Sequence, residues 1–315
     1  MTSSGIDAQL GYVDEVTFGT FVAPTRFSEF LSEDLKLEIE RIESKGIRKG
    51  RKMQSRWKPS IQRVTGSLQL ELTPGGSGRL LEACMGLPVS AGSGPNGFTH
   101  TYTNGAIDGK SLTVQVGRPD LGGVVRAFSY TGMKVADWEI ACSVGEIPTL
   151  TMNMYGADES TSESLATASY PSTDDPFVFS EAVLSVAGSA VCVTDFSLKG
   201  MNGLKVDRHF ICANGAVPSE ALESEMRDVS GSFTADFEDL TQYGYFTAGS
   251  ENALVITFTS GTFSLAVTMN VRYDGETPSV SGAEMLELSV PFKAISNTSD
   301  AGAFTAVLTN DDVAP

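Results

Sequence analysis

Residues Val64-Thr-Gly-Ser-Leu-Gln-Leu-Glu-Leu72 decide the fold, because apolar side chains alternate with polar ones along this stretch. A period of two is typical of a β-strand that buries one face. The pattern returns in the other half of the chain as Val229-Ser-Gly-Ser-Phe-Thr-Ala-Asp-Phe237. Upstream, Leu37-Glu-Ile-Glu-Arg41 similarly resembles Leu204-Lys-Val-Asp-Arg208. We interpret these matches as one β-sandwich that is duplicated in the chain, which gives a first and a second repeat.

Alternating apolar and polar residues also recur outside these strands and predict antiparallel sheets that pack face to face. Helix signals are confined to two short stretches, one after each repeated strand. The first has an apolar face of Leu80, Leu81, Cys84 and Met85, followed by Gly86. The second has an apolar face of Leu240, Tyr243 and Phe246, with Asp236 or Asp239 as the cap and Gly249 as the stop. The sequence therefore predicts a mainly β fold, with one short flanking helix in each sandwich.

The boundary between the two sandwiches is predicted from a change in composition. Residues 161–176 are rich in Ser, Thr, Asp and Pro and show no apolar period, which is typical of a linker. We expect a first domain over 1–160 and a second over 177–315.

Composition excludes several classes of protein. The 315 residues carry 22 basic and 39 acidic side chains, a net charge of −17, which argues against a general nucleic-acid-binding protein. No apolar run reaches the roughly 18 residues of a membrane span, and the first residues lack the charged and apolar regions of a secretory signal. We therefore expect neither a membrane anchor nor secretion.

Chemistry-bearing residues are few and scattered. The four cysteines, Cys84, Cys142, Cys192 and Cys212, are far apart and form no CxxC motif, so we expect reduced thiols and no zinc site. The two histidines, His100 and His209, stand in unrelated contexts, and no serine forms a recognisable nucleophile motif. We expect no enzyme activity, no metal and no cofactor.

One segment stands out by its charge. Residues 44–63, which we call the basic arm, contain no acidic residue and connect two predicted strands. Its basic residues, with one tryptophan, are Lys45, Arg48, Lys49, Arg51, Lys52, Arg56, Trp57, Lys58 and Arg63. The corresponding loop of the second repeat is acidic, with Glu220, Glu223, Glu225 and Asp228. The basic arm could grip nucleic acid, remain a solvated loop, or dock on an acidic surface of another copy of the chain. The overall acidity favours docking, because the protein itself supplies that surface.

The N-terminal region resembles a known family. The stretches Gly11-Tyr-Val-Asp-Glu-Val-Thr-Phe-Gly-Thr20, Pro24-Thr-Arg-Phe27 and 30–48 are similar to tail tube (major tail) proteins of long-tailed bacteriophages. In the second half, Val193-Thr-Asp-Phe-Ser-Leu198 and Phe237-Glu-Asp-Leu240 fit the same family. The resemblance implies two tandem tail-tube-type β-sandwich domains, and it implies a structural virion protein made in the host cytoplasm.

The resemblance also implies an assembly. Such proteins form stacked rings around a channel through which DNA leaves the virion, and a long loop between early strands docks on the neighbouring ring. Here that loop corresponds to the basic arm. Rings of the family contain six sandwich domains, so three chains with pseudo-sixfold symmetry complete one ring. Six chains are the alternative if one domain decorates the outside. The implied partners are the tail terminator, tape measure and tail-tip proteins, and the implied tail is long and non-contractile.

A channel for DNA favours polar or negative side chains, because these repel phosphate and leave no strong binding minima. We expect the polar faces of the alternating strands to line it. The candidates are Gln69, Glu71, Thr113, Gln115, Thr151, Asn153, Thr257, Thr268, Asn270 and Glu287. Two other functions stay open at this point: a two-domain β-sandwich binding or adhesion module, and a nucleic-acid-handling protein that uses the basic arm.

Overall fold

Strands form most of the regular structure, so the predicted mainly β fold is confirmed. The computed structural model describes residues 4–92, 97–171, 175–211, 215–275, 277, 278, 280, 283, 285–296 and 300–314. The strands of the first repeat are β1 (Gln9–Asp14), β2 (Arg26–Ser28), β3 (Ser32–Glu33), β4 (Lys36–Glu43), β5 (Trp57–Glu71), β6 (Val89–Gly92), β7 (Phe98–Tyr102), β8 (Leu112–Pro119), β9 (Val125–Ser143), β10 (Thr149–Gly156) and β11 (Asp158–Ser160). Those of the second repeat are β12 (Ala182–Val186), β13 (Ser189–Val191), β14 (Asp195–Met201), β15 (Leu204–Lys205), β16 (Leu222–Glu223), β17 (Asp228–Asp236), β18 (Glu251–Ser260), β19 (Phe263–Tyr273), β20 (Glu287–Ala294) and β21 (Phe304–Asn310).

Each repeat builds two layers with the same pairing order. In the first repeat, one layer pairs as β2-β1-β8-β9-β11 and the other as β4-β5-β10-β9. In the second repeat, the layers pair as β13-β12-β18-β19-β21 and β14-β17-β20-β19. The long strands β9 and β19 belong to both layers of their repeat. This twofold recurrence of one pairing order supports the interpretation of an internal duplication.

The two repeats share one continuous sheet. Strand β9 pairs with β14 of the second repeat, from Ser143 opposite Asp195 to Asp137 opposite Met201. The resulting sheet, which we call the long sheet, runs β4-β5-β10-β9-β14-β17-β20-β19. The remaining layers, which we call the cover sheets, pack on its apolar face. Strands from before and after residues 161–176 therefore pair within one sheet. The division of the chain into two domains at 161–176 stays a prediction.

The apolar positions of the alternating strands face one another between the layers. Phe196 of the long sheet packs against Phe258 of a cover sheet, with ring centroids 5.8 Å apart. Trp138 of the first repeat contacts Phe304 of the second at 6.0 Å. The buried residues of both repeats form one connected cluster. Because this cluster is shared, both repeats depend on the same core for their stability. Each large apolar side chain that it buries contributes about 1.5–3 kcal/mol to the free energy of folding.

Both predicted helices are present. Helix α1 (Ser77–Met85) buries its predicted apolar face, and Gly86 ends it with a positive φ of 93°. Helix α2 (Thr241–Ala248) ends at Gly249, and Asp239 Oδ1 accepts a hydrogen bond from Thr241 N at 2.7 Å. Leu240 was predicted on the apolar face of α2, and this prediction is wrong. The residue precedes the helix and is exposed. A third helix, α3 (Asp300–Ala303), leads into β21.

The predicted match between 37–41 and 204–208 is wrong by several residues. Strand pairing places Leu37 opposite Val64 and Gly200 opposite Val229. Because Val64 and Val229 begin the repeated motif, the counterpart of Leu37 is Gly200 and not Leu204. The motif itself is confirmed as strands β5 and β17.

The glycine of the repeated motif has the same steric role in both repeats. A Cβ on Gly66 would lie 2.7 Å from Leu35 Cα, and one on Gly231 would lie 2.3 Å from Ser197 O. We expect Gly66→Ala and Gly231→Ala each to lower the free energy of unfolding by about 1–3 kcal/mol or more, because the backbone of the neighbouring strand must move to make room for the new methyl group. Gly244→Ala in α2 is the control, since its Cβ meets nothing within 4 Å and helix propensity improves. Urea unfolding midpoints measure all three, and equal midpoints would contradict the steric account.

Candidate assembly interface

The basic arm is shorter as a loop than the sequence predicts. Strand β5 begins at Trp57, so Trp57, Lys58 and Arg63 lie in a hairpin with β4. Only residues 44–56, which we call the arm tip, form the connection. The pairing of β5 with β4 gives a two-stranded ribbon, which places the arm tip at one end of the long sheet. In the unassembled chain we therefore expect protection from hydrogen exchange over 57–63, where β5 pairs with β4, and no protection over the arm tip.

The charged side chains of the arm tip face solvent. Six basic residues of the arm tip are exposed, and none forms a salt bridge with any residue that the structure describes: Lys45, Arg48, Lys49, Arg51, Lys52 and Arg56. Two apolar side chains, Ile47 and Met53, are also almost fully exposed within this segment. A loop that presents both unpaired cations and exposed apolar groups is suited to a partner surface that is acidic and apolar.

The base of the arm is fixed to the body. Arg63 lies 3.3 Å from carboxylate oxygens of both Glu38 and Asp207, so it ties β5 to β4 and to the second repeat. The hydrogen bond from Arg63 holds the pKa of Glu38 below its usual range. Trp57 is 60% exposed, and the Arg41 guanidinium lies 5.7 Å from its ring centroid. These contacts orient the ribbon that carries the arm tip.

The long sheet has a polar outer face. Along β5 and β10, buried residues such as Leu70 and Met152 alternate with Gln69, Glu71, Thr151 and Asn153 on the other face. Along β14, β17 and β20 the same face carries mainly serine, threonine and charged residues, including Ser197, Ser232, Thr234 and Glu287. The polar face therefore continues across both repeats.

A family model described as phage tail tube protein matches residues 5–294.

The chain belongs to the phage tail tube protein family. The resemblance predicted from the N-terminal motifs is thereby confirmed, and the protein is a structural component of the virion tail. No curated protein matches the chain. Among the described residues, no helix is long and apolar enough to cross a membrane.

The predicted acidic counterpart loop of this tail tube protein is largely neutralised within the chain. Lys134 Nζ lies 2.7 Å from Glu220 Oε1, and Lys293 Nζ lies 2.6 Å from Asp228 Oδ2. Glu223 pairs with Arg227. The loop also lies beside the arm of the same chain, because Gln62 N donates to Ala216 O at 3.0 Å. Of the four predicted acids, only Glu225 has no basic partner among the described residues.

The ten predicted channel residues do not share one face. Gln69, Glu71, Thr151, Asn153 and Glu287 lie on the polar face of the long sheet. Thr257 and Thr268 lie on the far side of a cover sheet, since the adjacent residues Phe258 and Val267 are buried on its inner face. Asn270 lies at the end of that sheet and donates to Glu251 Oε2 and to Ile295 O.

Two of the ten are wrong as channel residues because they are buried in the chain itself. Thr113 is fully buried and Gln115 is 1% exposed. Thr113 Oγ1 accepts from Val22 N, and Gln115 bonds to Ser164 O and Ala166 N. The alternation showed a polar face correctly, but the segments around residues 22 and 165 cover it.

His100 and Cys84 are buried in the folded chain. His100 is buried and shares hydrogen bonds with Ser90 Oγ and Asn310 Oδ1. Burial raises the pKa of the Cys84 thiol, which disfavours the reactive thiolate. Cys212 lies outside the described residues. Within the described part of the chain, no group of three or more His, Cys, Asp or Glu side chains is placed to hold a metal ion.

Sequence reasoning missed the acidic end of the long sheet. Strand register brings Glu71, Asp195, Asp236 and Glu287 to the end opposite the arm tip, since Glu71 pairs with Thr149 and Asp195 with Ser143. The sequence contains one indication of an acidic surface, since no lysine or arginine lies between Lys134 and Lys199. The long sheet thus carries free positive charge at one end and negative charge at the other.

Proposed function

We propose that this chain polymerises as stacked rings into the hollow tail tube that conducts DNA into the host. The observation that carries the proposal is the continuous long sheet, with an apolar face buried by the cover sheets and a polar face left open. A sheet of this kind can close around a channel when strand edges of neighbouring chains pair. The chain has no catalytic role in this account.

The strand pairing between the two repeats suggests how neighbouring chains pair. Residues 137–143 of β9 pair with β14 on its edge away from β17. The equivalent edge in the first repeat belongs to β3 and β4, and among the described residues no strand other than β5 pairs with either. We propose that a strand edge of the neighbouring chain occupies this edge when a ring closes.

Three chains then complete one ring of six repeats. Both repeats contribute four strands of the described chain to the long sheet, which supports equal positions around a pseudo-sixfold axis. The alternative ring of six chains would place one repeat outside, and the shared sheet gives no support for that arrangement. Tail terminator, tape measure and tail-tip proteins are the proposed partners at the ends of the tube, and the proposed tail is non-contractile.

The polar face of the long sheet is the proposed channel lining. Its hydroxyl and amide groups, together with Glu71, Asp195 and Glu287, repel phosphate or bind it weakly. Lys199 on this face is paired with Glu139 at 3.3 Å, so its charge is partly compensated. DNA can therefore slide along such a lining without specific binding.

We expect the purified chain to bind duplex DNA weakly, with a Kd of about 10⁻⁴ M or weaker at physiological salt. The net charge of −17 opposes the attraction of the basic arm. Fluorescence anisotropy with labelled DNA measures the affinity over a salt series. Tight, salt-dependent binding that is lost when the arm is neutralised would instead favour a nucleic-acid-handling protein.

Negative-stain electron microscopy tests the proposed function directly. The purified protein is imaged over a series of concentrations and salt, and we expect stacked rings or hollow tubes as concentration rises. Monomers in every condition, including after addition of a tail-tip initiator complex, would overturn the proposal and favour the binding or adhesion module.

A further inference from the structure

A groove at the acidic end of the long sheet has the properties of a receptor for the arm tip. It has a volume of about 430 Å³ and lies where the two repeats join, between the 143–149 turn and the β12–β13 hairpin. Val144 and Val183 line it and are 61% and 55% exposed. Phe179, Leu184 and Ile256 extend the apolar lining. A partly exposed apolar surface of this kind is typical of an interaction site.

One acidic residue lines this groove, and two others lie beside its lining residues in the chain. Asp195 is part of its lining. Glu146 is exposed in the adjoining turn, whose backbone accepts a hydrogen bond from Phe179 N at 3.2 Å. Glu181 lies two residues after Phe179 and accepts a hydrogen bond from Val178 N at 3.1 Å. No base neutralises these carboxylates among the described residues, because the salt bridges of the chain involve other acids.

The arm tip has the complementary composition. Ile47 and Met53 present apolar side chains, and the bases Lys45, Arg48 and Lys52 stand beside them. The arm tip and the groove lie at opposite ends of the long sheet. The 15 residues of β5 separate these ends by about 50 Å along the strand direction, at roughly 3.3 Å per residue. The arm of one chain therefore does not reach its own groove, but it can reach that of a chain stacked in the same orientation.

We propose that the arm tip docks in this groove on another copy of the chain, in the adjacent ring. This inference rests on the proposed function, because it names the surface that receives the arm when rings stack. Ile47 and Met53 enter the apolar groove, and the neighbouring bases face Glu146, Glu181 and Asp195. Each chain offers both an arm tip and this groove, so an arm tip of one ring meets a groove of the next in a head-to-tail stack.

A native cysteine makes the contact testable by cross-linking. Cys192 is exposed and lines the groove. Cys142 also lines it but is only 6% exposed, and Cys84 is fully buried. Met53→Cys in a Cys212→Ser background places a second accessible thiol on the arm tip. Mild oxidation of assembled tubes is expected to convert more than half of the monomer band into a ladder of chain multiples on non-reducing gels. Adding Cys192→Ser should remove the ladder.

The matched control is Leu121→Cys in the same background, because Leu121 is 82% exposed on a hairpin turn of a cover sheet. We expect no ladder from it. Electron microscopy of each sample before oxidation separates the two proposals. Tubes without a Cys192-dependent ladder would overturn the docking inference and leave the tube function standing. Absence of tubes from the unsubstituted protein would overturn both.

Discussion

Replacing Arg48, Lys49 and Lys52 together by glutamine is expected to raise the concentration needed for tube assembly at least tenfold. Each base is exposed and has no acidic partner within the described chain. If each contributes about 0.5 kcal/mol to a contact with a neighbouring chain, the three supply about 1.5 kcal/mol, which corresponds to roughly a tenfold change. Sedimentation of assembled material over a concentration series measures the effect.

A matched triple substitution shows whether position or total charge matters. Lys110, Arg126 and Arg272 are also exposed, and their replacement by glutamine changes the net charge equally. Arg126 and Arg272 form surface ion pairs with Asp120 and Asp274, whose loss costs about 1 kcal/mol or less each. We expect this control to assemble nearly normally. Equal behaviour of the two variants, or normal assembly of the arm variant, would contradict electrostatic docking.

Lys134→Ala is expected to lower the free energy of unfolding by about 3–5 kcal/mol. Lys134 is 3% exposed, and its Nζ donates to Glu220 Oε1 at 2.7 Å and to Ala221 O at 2.8 Å. Removing one partner leaves the Glu220 carboxylate facing a cavity without its cation, which is the costly way to break a buried pair. Urea unfolding of the unassembled chain, followed by tryptophan fluorescence, measures the change.

The double variant Lys134→Met with Glu220→Gln is the informative control. It removes both charges and keeps most of the side-chain volume, so we expect it to recover a large part of the lost stability. Lys199→Ala should cost about 1 kcal/mol or less, since the Lys199–Glu139 pair is exposed. A Lys134→Ala midpoint that equals that of Lys199→Ala would show that the buried pair does not hold the loop of the second repeat.

The alternating strands predicted the fold well because side-chain period and burial are coupled in a sheet. Leu68, Leu70 and Leu72 face the core as expected, and the motif glycines mark equivalent strands in both repeats. The period does not report what covers the other face. Thr113 and Gln115 alternate like Gln69, but only the structure shows the chain segments that bury them.

The two proposed docking surfaces were only half predictable from the sequence. A run of bases is continuous in sequence, so the basic arm over 44–63 was predicted directly, and the structure narrows its loop to the arm tip. The acidic end is assembled by register from β5, β14, β17 and β20, and no single stretch of sequence displays it. The acids of the 220–228 loop were more conspicuous, yet intrachain contacts with Lys134, Arg227 and Lys293 use three of them.

A helical reconstruction of assembled tubes by cryo-electron microscopy tests the central claim most directly. The account predicts rings of three chains in which the long sheets close around the channel, with Gln69, Asn153 and Glu287 on the channel wall. Rings of six chains with the second repeat on the outside, or a channel lined by the cover-sheet residues Thr257 and Thr268, would contradict it.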